Sequence, residues 1–174
     1  MQIGDLSYDD LQQYNLAASY SKAGNYDDAL LILKKLHAKN LKCNSLLLSI
    51  SEVYVNKYDF DAALAFVKMY SGVGQANTQS SYILGVIYGS KGKYDDAIQF
   101  LNLVLKTNYT DDEYYSLAAI EKGCLLIRKH QLGCDINDAY YFCKNLKDNG
   151  YLNNNMAVCT EYILPFLKYA ESNR

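Results

Sequence analysis

A period of 34 residues runs through the first part of the chain and leaves few folds open to it. Ala29, Ala63 and Ala97 stand one period apart (63 − 29 = 34; 97 − 63 = 34). Other columns keep the step: Leu16, Ile50 and Leu84; Ala17, Ser51 and Gly85; Tyr20, Tyr54 and Tyr88; Tyr26, Phe60 and Tyr94; Leu33, Val67 and Leu101. Small residues recur where two backbones must approach, and bulky ones recur beside them. Each period is therefore one structural unit that cannot bury its apolar face alone and must stack on a neighbour.

The unit is clearest from Ser81 to Lys106. Leu84, Gly85, Ile87 and Tyr88 fall at helical spacing, and Ala97, Phe100, Leu101, Val104 and Leu105 do so again. Between them Gly92 suits a left-handed helix end, and Asp95 and Asp96 suit the positive start of the next helix. The pattern predicts an all-α stack of helix-turn-helix units in one domain, residues 1–174, with repeats over 10–43, 44–77 and 78–111.

Ser7 and Asp10 form a candidate capping box at the first helix, which runs to about Ala23. Its partner runs from near Asn25 to around Lys39. The second unit opens behind Asn44 and closes near Tyr70, a two-glycine loop follows over 71–77, and the third starts behind Asn77 or Thr78. Thr110 to Glu113 reads as a second capping box, opening an irregular fourth unit over 112–150. If Ala139 is its contact alanine, it is longer by eight (139 − 97 = 42; 42 − 34 = 8). Helices are expected there from Asp112 to about His130 and from Asp138 to Asp148. A terminal helix over 155–171 contains Pro165, which should kink or break it. That helix caps the stack or, alternatively, opens a fifth unit.

Composition narrows the function. Seventeen basic against 19 acidic residues give a net charge of −2, and no basic run appears, which argues against nucleic acid or an acidic membrane as partner. The start of the chain lacks a secretion signal, and no apolar stretch approaches the roughly 18 to 20 residues of a membrane span. An intracellular protein of cytoplasm or nucleus is expected. Five cysteines without a C-x-x-C pair suit a reducing compartment.

Cys124, His130, Cys134 and Cys143 gather in sequence as a metal alternative, but their spacings match no zinc-knuckle pattern. The two histidines, His37 and His130, sit in no nucleophile or acid–base motif. Gly85, Gly89, Gly92 and Lys93 lack the phosphate-loop pattern. Asp27-Asp28 and Asp95-Asp96 suit helix starts. No catalytic residue, cofactor or metal is expected, and the chain is not read as an enzyme.

Two stretches, Leu16-Ala17, Tyr20, Gly24, Tyr26, Ala29 and Leu84-Gly85, Tyr88, Gly92, Tyr94, Ala97, resemble the tetratricopeptide repeat family. The family pattern is an aromatic, Leu-Gly, Tyr, Gly-x-Tyr, Ala, Phe, Ala and Pro along 34 residues. The chain departs from it at Gln13, Leu47 and Ser81 in the opening aromatic column, at Tyr58 in the turn, and at Leu41, Gln75 and Tyr109 in place of the closing proline.

The resemblance implies a right-handed superhelical α-solenoid whose concave groove is lined by the first helix of each unit. It places in that groove Leu11, Tyr14, Ala18, Ser21 and Lys22; Ser45, Leu48, Glu52, Val55 and Asn56; Gln79, Tyr82, Val86, Gly89 and Ser90; with Glu113, Ser116 and Ile120 from the fourth unit. It implies a scaffold or adaptor that holds a partner peptide or helix as a subunit of a larger complex. The basic clamp of chaperone-binding members is missing, since Tyr14, Ala18 and Ile83 occupy clamp positions. The expected partner is thus not an acidic chaperone tail. Homodimerisation is the alternative, and a metal-binding fourth unit a further one.

Overall fold

The computed structural model describes residues 3–41, 43–71, 77–107, 113–152 and 158–173. Among these described residues there are nine α-helices and no strand: α1 (Tyr8–Lys22), α2 (Tyr26–Lys39), α3 (Ser45–Asn56), α4 (Phe60–Ser71), α5 (Thr78–Ser90), α6 (Tyr94–Leu105), α7 (Glu113–Gln131), α8 (Ile136–Asp148) and α9 (Leu164–Ser172). Successive helices pack as hairpins, α1 with α2, α3 with α4, α5 with α6 and α7 with α8. The hairpins stack because α2 also meets α3, α4 meets α5 and α6 meets α7, while α3 touches α5 and α5 touches α7. The result is an all-α helical solenoid.

Five helix ends share one device. The amide of Asn25 bonds to the carbonyl of Tyr20 at 2.9 Å, Asp59 to Tyr54 at 2.9 Å, Lys93 to Tyr88 at 3.0 Å, Cys134 to Lys129 at 3.1 Å and Tyr151 to Leu146 at 2.9 Å. Each is the long bond of a Schellman motif, which needs a left-handed residue just before the donor. Gly24, Gly92, Gly133 and Gly150 supply it, with φ of 81°, 74°, 99° and 75°. In the second hairpin Tyr58 does so instead, at φ 62°, with its side chain exposed. The missing glycine leaves the turn intact and stores strain in it.

The small-residue columns are where the paired helices touch. Ala29, Ala63, Ala97 and Ala139 are all wholly buried. Opposite them the first helices present Ala17, Ser51 and Gly85. A Cβ on Gly85 would stand 2.5 Å from Leu101 Cδ2, so a side chain there would have to displace Leu101 from the α5–α6 contact. In the second hairpin the buried Ser51 hydroxyl donates to the Ala63 carbonyl at 2.8 Å, which satisfies the one polar group this column admits. Leu16, in a column whose other members are covered, is 42% exposed, because α1 has packed neighbours on only one side.

Lengthening of the fourth unit is shared between helix and turn. Gly89 faces Leu125 of α7, and Gly123 faces Leu146 of α8 much as Gly85 faces Leu101. From that glycine to the turn glycine is ten residues (133 − 123 = 10) against seven in the third hairpin (92 − 85 = 7). α7 accordingly has 19 residues. An interhairpin ion-pair ladder survives the change: Asp27, Asp61 and Asp95, one period apart, take Lys57 at 2.5 Å, Lys91, and Lys129 at 2.6 Å. Lys129 stands one helical turn beyond the position a strict repeat would use (91 + 34 = 125; 129 − 125 = 4). These aspartates are exposed, so the ladder orients the hairpins more than it stabilises them.

Several end signals differ from the sequence expectation. Ser7 accepts from the Asp10 amide at 3.2 Å. The Asp10 carboxylate, however, is buried and taken by Lys39 Nζ at 2.7 Å and Asn40 Nδ2 at 3.2 Å, tying the start of α1 to the end of α2. Lys39 foremost, then Asn40, hold its pKa below the ordinary carboxylate value. Asn44 makes no side-chain cap, its backbone being already helical, whereas Asn77 and Ser80 form a full capping box. α8 begins at Ile136, two residues early, because Asp135 accepts from the Asn137 amide. The 71–77 loop, the capping box at 110–113 and the start of the terminal helix lie largely outside the described residues. Pro165 is the second residue of α9, behind a π-helical turn at Cys159–Ile163 in which the Leu164 amide reaches back to the Cys159 carbonyl. The widened turn accommodates a proline that cannot donate.

Glu121 of α7 lies beside Gly89, its Oε1 3.7 Å from where a Cβ would be. Burial pushes its carboxyl above the ordinary value of 4.5, with Arg128 pulling weakly the other way. The neutral acid is the better tolerated form, so its cost is absent below the unfolded pKa and grows as pH rises through the folded one. Glu121→Gln is therefore expected to raise the melting temperature at pH 7 and to leave it unchanged below about pH 4, as followed by circular dichroism. Tyr58→Gly should stabilise by about 0.5–1 kcal/mol in urea unfolding, since relief of left-handed strain exceeds the entropy glycine adds. Ala97→Leu should cost about 1–3 kcal/mol in the same measurement, by forcing volume between α5 and α6.

Candidate functional site

On the face formed by the first helices, a cleft of about 330 Å³ opens between α1 and α3. Tyr14, Ala17, Ala18, Ser21 and Lys22 line it from α1, Ser49, Glu52, Val53 and Asn56 from α3, with Leu33 of α2 below. The α1 contributors fall at i, i+3, i+4, i+7 and i+8 from Tyr14, one stripe of the helix, which is why a continuous helix can present them together. The Tyr14 hydroxyl and Ser49 Oγ, 3.3 Å apart, bridge the two walls. The floor is apolar, supplied by the buried Ala17, Leu33 and Val53. The walls carry hydroxyls, an amide and one charge of each sign, Lys22 at the exposed rim and Glu52 half-buried.

Beyond α3 the same face is closed by the protein's own side chains. Glu52 Oε2 accepts from Gln79 Nε2 of α5 at 2.8 Å and from the Tyr114 hydroxyl of α7 at 3.0 Å. The Tyr82 and Tyr114 rings lie 5.6 Å apart. This seam ties the first helices of three hairpins together, across 62 residues of sequence in the longest link. It also defines one end of the cleft. Tyr114 was not among the residues expected here, because it belongs to the unit whose register breaks.

Of the residues expected in the groove, Tyr14, Ala18, Ser21, Lys22, Glu52 and Asn56 therefore line one cleft. Tyr82 and Gln79 belong to the closing seam. Leu48 and Ile120 are corrections, being 1% and 5% exposed. Leu48 lies one turn before Glu52, but there Ile83 and Ile87 of α5 share its core cluster. Ile120 lies instead in the core of the last three helices with Cys124, Ile127 and Ile163, since the longer α7 turns that position inward. Leu11, Val86 and Ser90 do not line the cleft.

The four candidate metal ligands do not converge. Among the described residues no three His, Cys, Asp or Glu side chains come together as a metal site. Cys124 and Cys143 are buried, and burial pushes both thiols up to about 12, so neither offers a thiolate. Cys134 is exposed, and its carbonyl lies 3.0 Å from His130 Nδ1. Among the described residues no helix is long and apolar enough to cross a membrane.

Comparison with known proteins bears on the fold. No curated protein matches the sequence. Among solved structures, a MamA mutant superposes with a TM-score of 0.63 at 18% identity over 94% of this chain and 87% of that one. MamA MSR-1 gives 0.60 at 19% identity over 95% and 97%. YrrB, described as a TPR protein with an unusual peptide-binding site, gives 0.59 at 18% over 92% and 84%. At these identities the likeness is one of fold. Family models described as tetratricopeptide repeat match residues 14–45 and 78–111, the α1–α2 and α5–α6 hairpins that hold the turn glycines Gly24 and Gly92. With the period, the Schellman turns and the stacked hairpins, these matches make the chain a member of the tetratricopeptide repeat family.

Proposed function

We propose that the chain is a non-catalytic interaction scaffold that holds a segment of a partner protein in the cleft between α1 and α3, as a subunit of a larger assembly. Repeats of this family are generally interaction modules, and YrrB shares the fold and carries a peptide-binding site. The observation that carries the reading is the cleft itself: an apolar floor flanked by Ser21, Ser49, Asn56 and the Tyr14 hydroxyl, groups able to pair with a peptide backbone while the floor takes its side chains. An intracellular setting is part of this reading, and five scattered cysteines, four of them buried, suit it. So is action of the whole chain as one domain, its last helix covering the end of the stack.

Self-association is the second reading. It rests on a larger recess between the end of α7 and α9, where Ile127, Tyr162, Pro165, Phe166 and the exposed Tyr169 stand with His130, Gln131 and Glu161, and which a second copy would cover. The readings separate in one pair of measurements. Ala18→Arg fills the cleft from its wall without touching the core. Affinity capture with mass spectrometry is expected to recover partners on the wild-type chain that fall at least tenfold on the variant, with helicity unchanged by circular dichroism. Identical partners on both proteins would remove the cleft reading, and a mass twice the monomer by light scattering, abolished by Tyr169→Glu, would establish the other.

A further inference from the structure

Resting on the cleft as the partner site, we propose that the bound segment is recognised through a lysine or arginine that pairs with Glu52. The carboxylate is set in place before any partner arrives. Its Oε2 takes two hydrogen bonds, from the Gln79 amide at 2.8 Å and the Tyr114 hydroxyl at 3.0 Å, so its position is fixed from α5 and α7 while the side chain itself springs from α3. Both donors are neutral. They orient the carboxylate without cancelling its charge, and no ion pair among the described residues includes it.

Four other carboxylates of the stacked hairpins differ on this point. Asp10, Asp27, Asp61 and Asp95 each already hold a lysine. Glu52 alone of these five faces the cleft, half-buried and held, with no counter-ion among the described residues. A partly desolvated, immobilised carboxylate is an acceptor for a charge-assisted hydrogen bond whose ordering cost has been met during folding. An acidic segment would bring like charge against it, which selects against that class. Lys22, at the exposed rim, can swing into solvent and does not neutralise Glu52. Apart from Lys22, the lining around it is neutral, from Tyr14, Ala18, Ser21, Ser49 and Asn56, which suits a segment that is otherwise uncharged or apolar.

The test is selection of binders to the full chain from a displayed library of random peptides, followed by titration of one synthetic selected peptide. Selected sequences are expected to share a Lys or Arg. Glu52→Gln keeps an oxygen for Gln79 and Tyr114 yet removes the charge, so it should weaken the peptide at least tenfold. Replacing the peptide's basic residue by glutamine should weaken it similarly, and the two changes together should cost little more than either alone. Peptides that lose affinity for Ala18→Arg but are neutral or acidic, or bind Glu52→Gln unchanged, overturn the pairing and leave the cleft reading standing. Peptides that bind Ala18→Arg as well as wild type, or a library that yields no binder, overturn both.

Discussion

The close approach of two helices at an alanine is the constraint on which the molecule depends. Ala29, Ala63, Ala97 and Ala139 are wholly buried, and what faces them must be as small. Once the backbones are that near, the positions of everything else on the two helices follow. Leu33, Val67 and Leu101, one turn further on, drop into the space beside the contact, and Leu30, Leu36 and Val104 close it. The Schellman turn then fixes the angle at which the second helix returns. A hairpin built this way still has an open apolar side, so it stacks, and stacking brings the first helices to one face. The cleft is a by-product of that geometry: Ala17 and Ala18 are too small to fill the gap between α1 and α3, and Tyr14 and Glu52 frame what remains.

The same face is treated differently along its length. Between α1 and α3 it stays open, whereas from α3 onward Glu52, Gln79, Tyr82 and Tyr114 lock it. The lock makes the cleft a rigid surface, because its one acidic group is braced from two other hairpins. Rigidity matters for a binding surface, since ordering paid during folding is not paid again on binding. The exposed ladder of Asp27, Asp61 and Asp95 with lysines of the following hairpin lies elsewhere, at the turns, and keeps successive hairpins in register where apolar packing is sparse.

Most of the fold was legible in the sequence because a period is a long-range signal written locally. Three alanines, three leucine-like positions and two turn glycines in phase fixed the helices, their pairing and the turns, and even the departure at Tyr58 kept its turn. The site was legible only in part. Tyr14, Ala18, Ser21 and Lys22, which the resemblance placed in the groove, line the candidate cleft because one face of α1 is uncovered. Leu48 and Ile120 did not, because an interior helix is contacted on several sides and its exposure depends on how the next hairpin is rotated, which spacing does not encode. Tyr114 escaped for a related reason: it acts across 62 residues from a unit whose length breaks the period. The aspartate ladder was in phase and visible, but helix capping accounted for it equally well until the partners were seen.

We propose the open part of the first-helix face, between α1 and α3, as the place where this scaffold meets its partner. At 19.7 kDa the chain is accessible to backbone-resolved NMR, and titration of the labelled protein with a selected peptide reads the location directly. The largest amide shifts are expected at Ala18, Ser21, Ser49, Glu52 and Asn56, with few on α2, α4 and α6. Shifts gathered on α9 and the end of α7, or along those second helices, would contradict it.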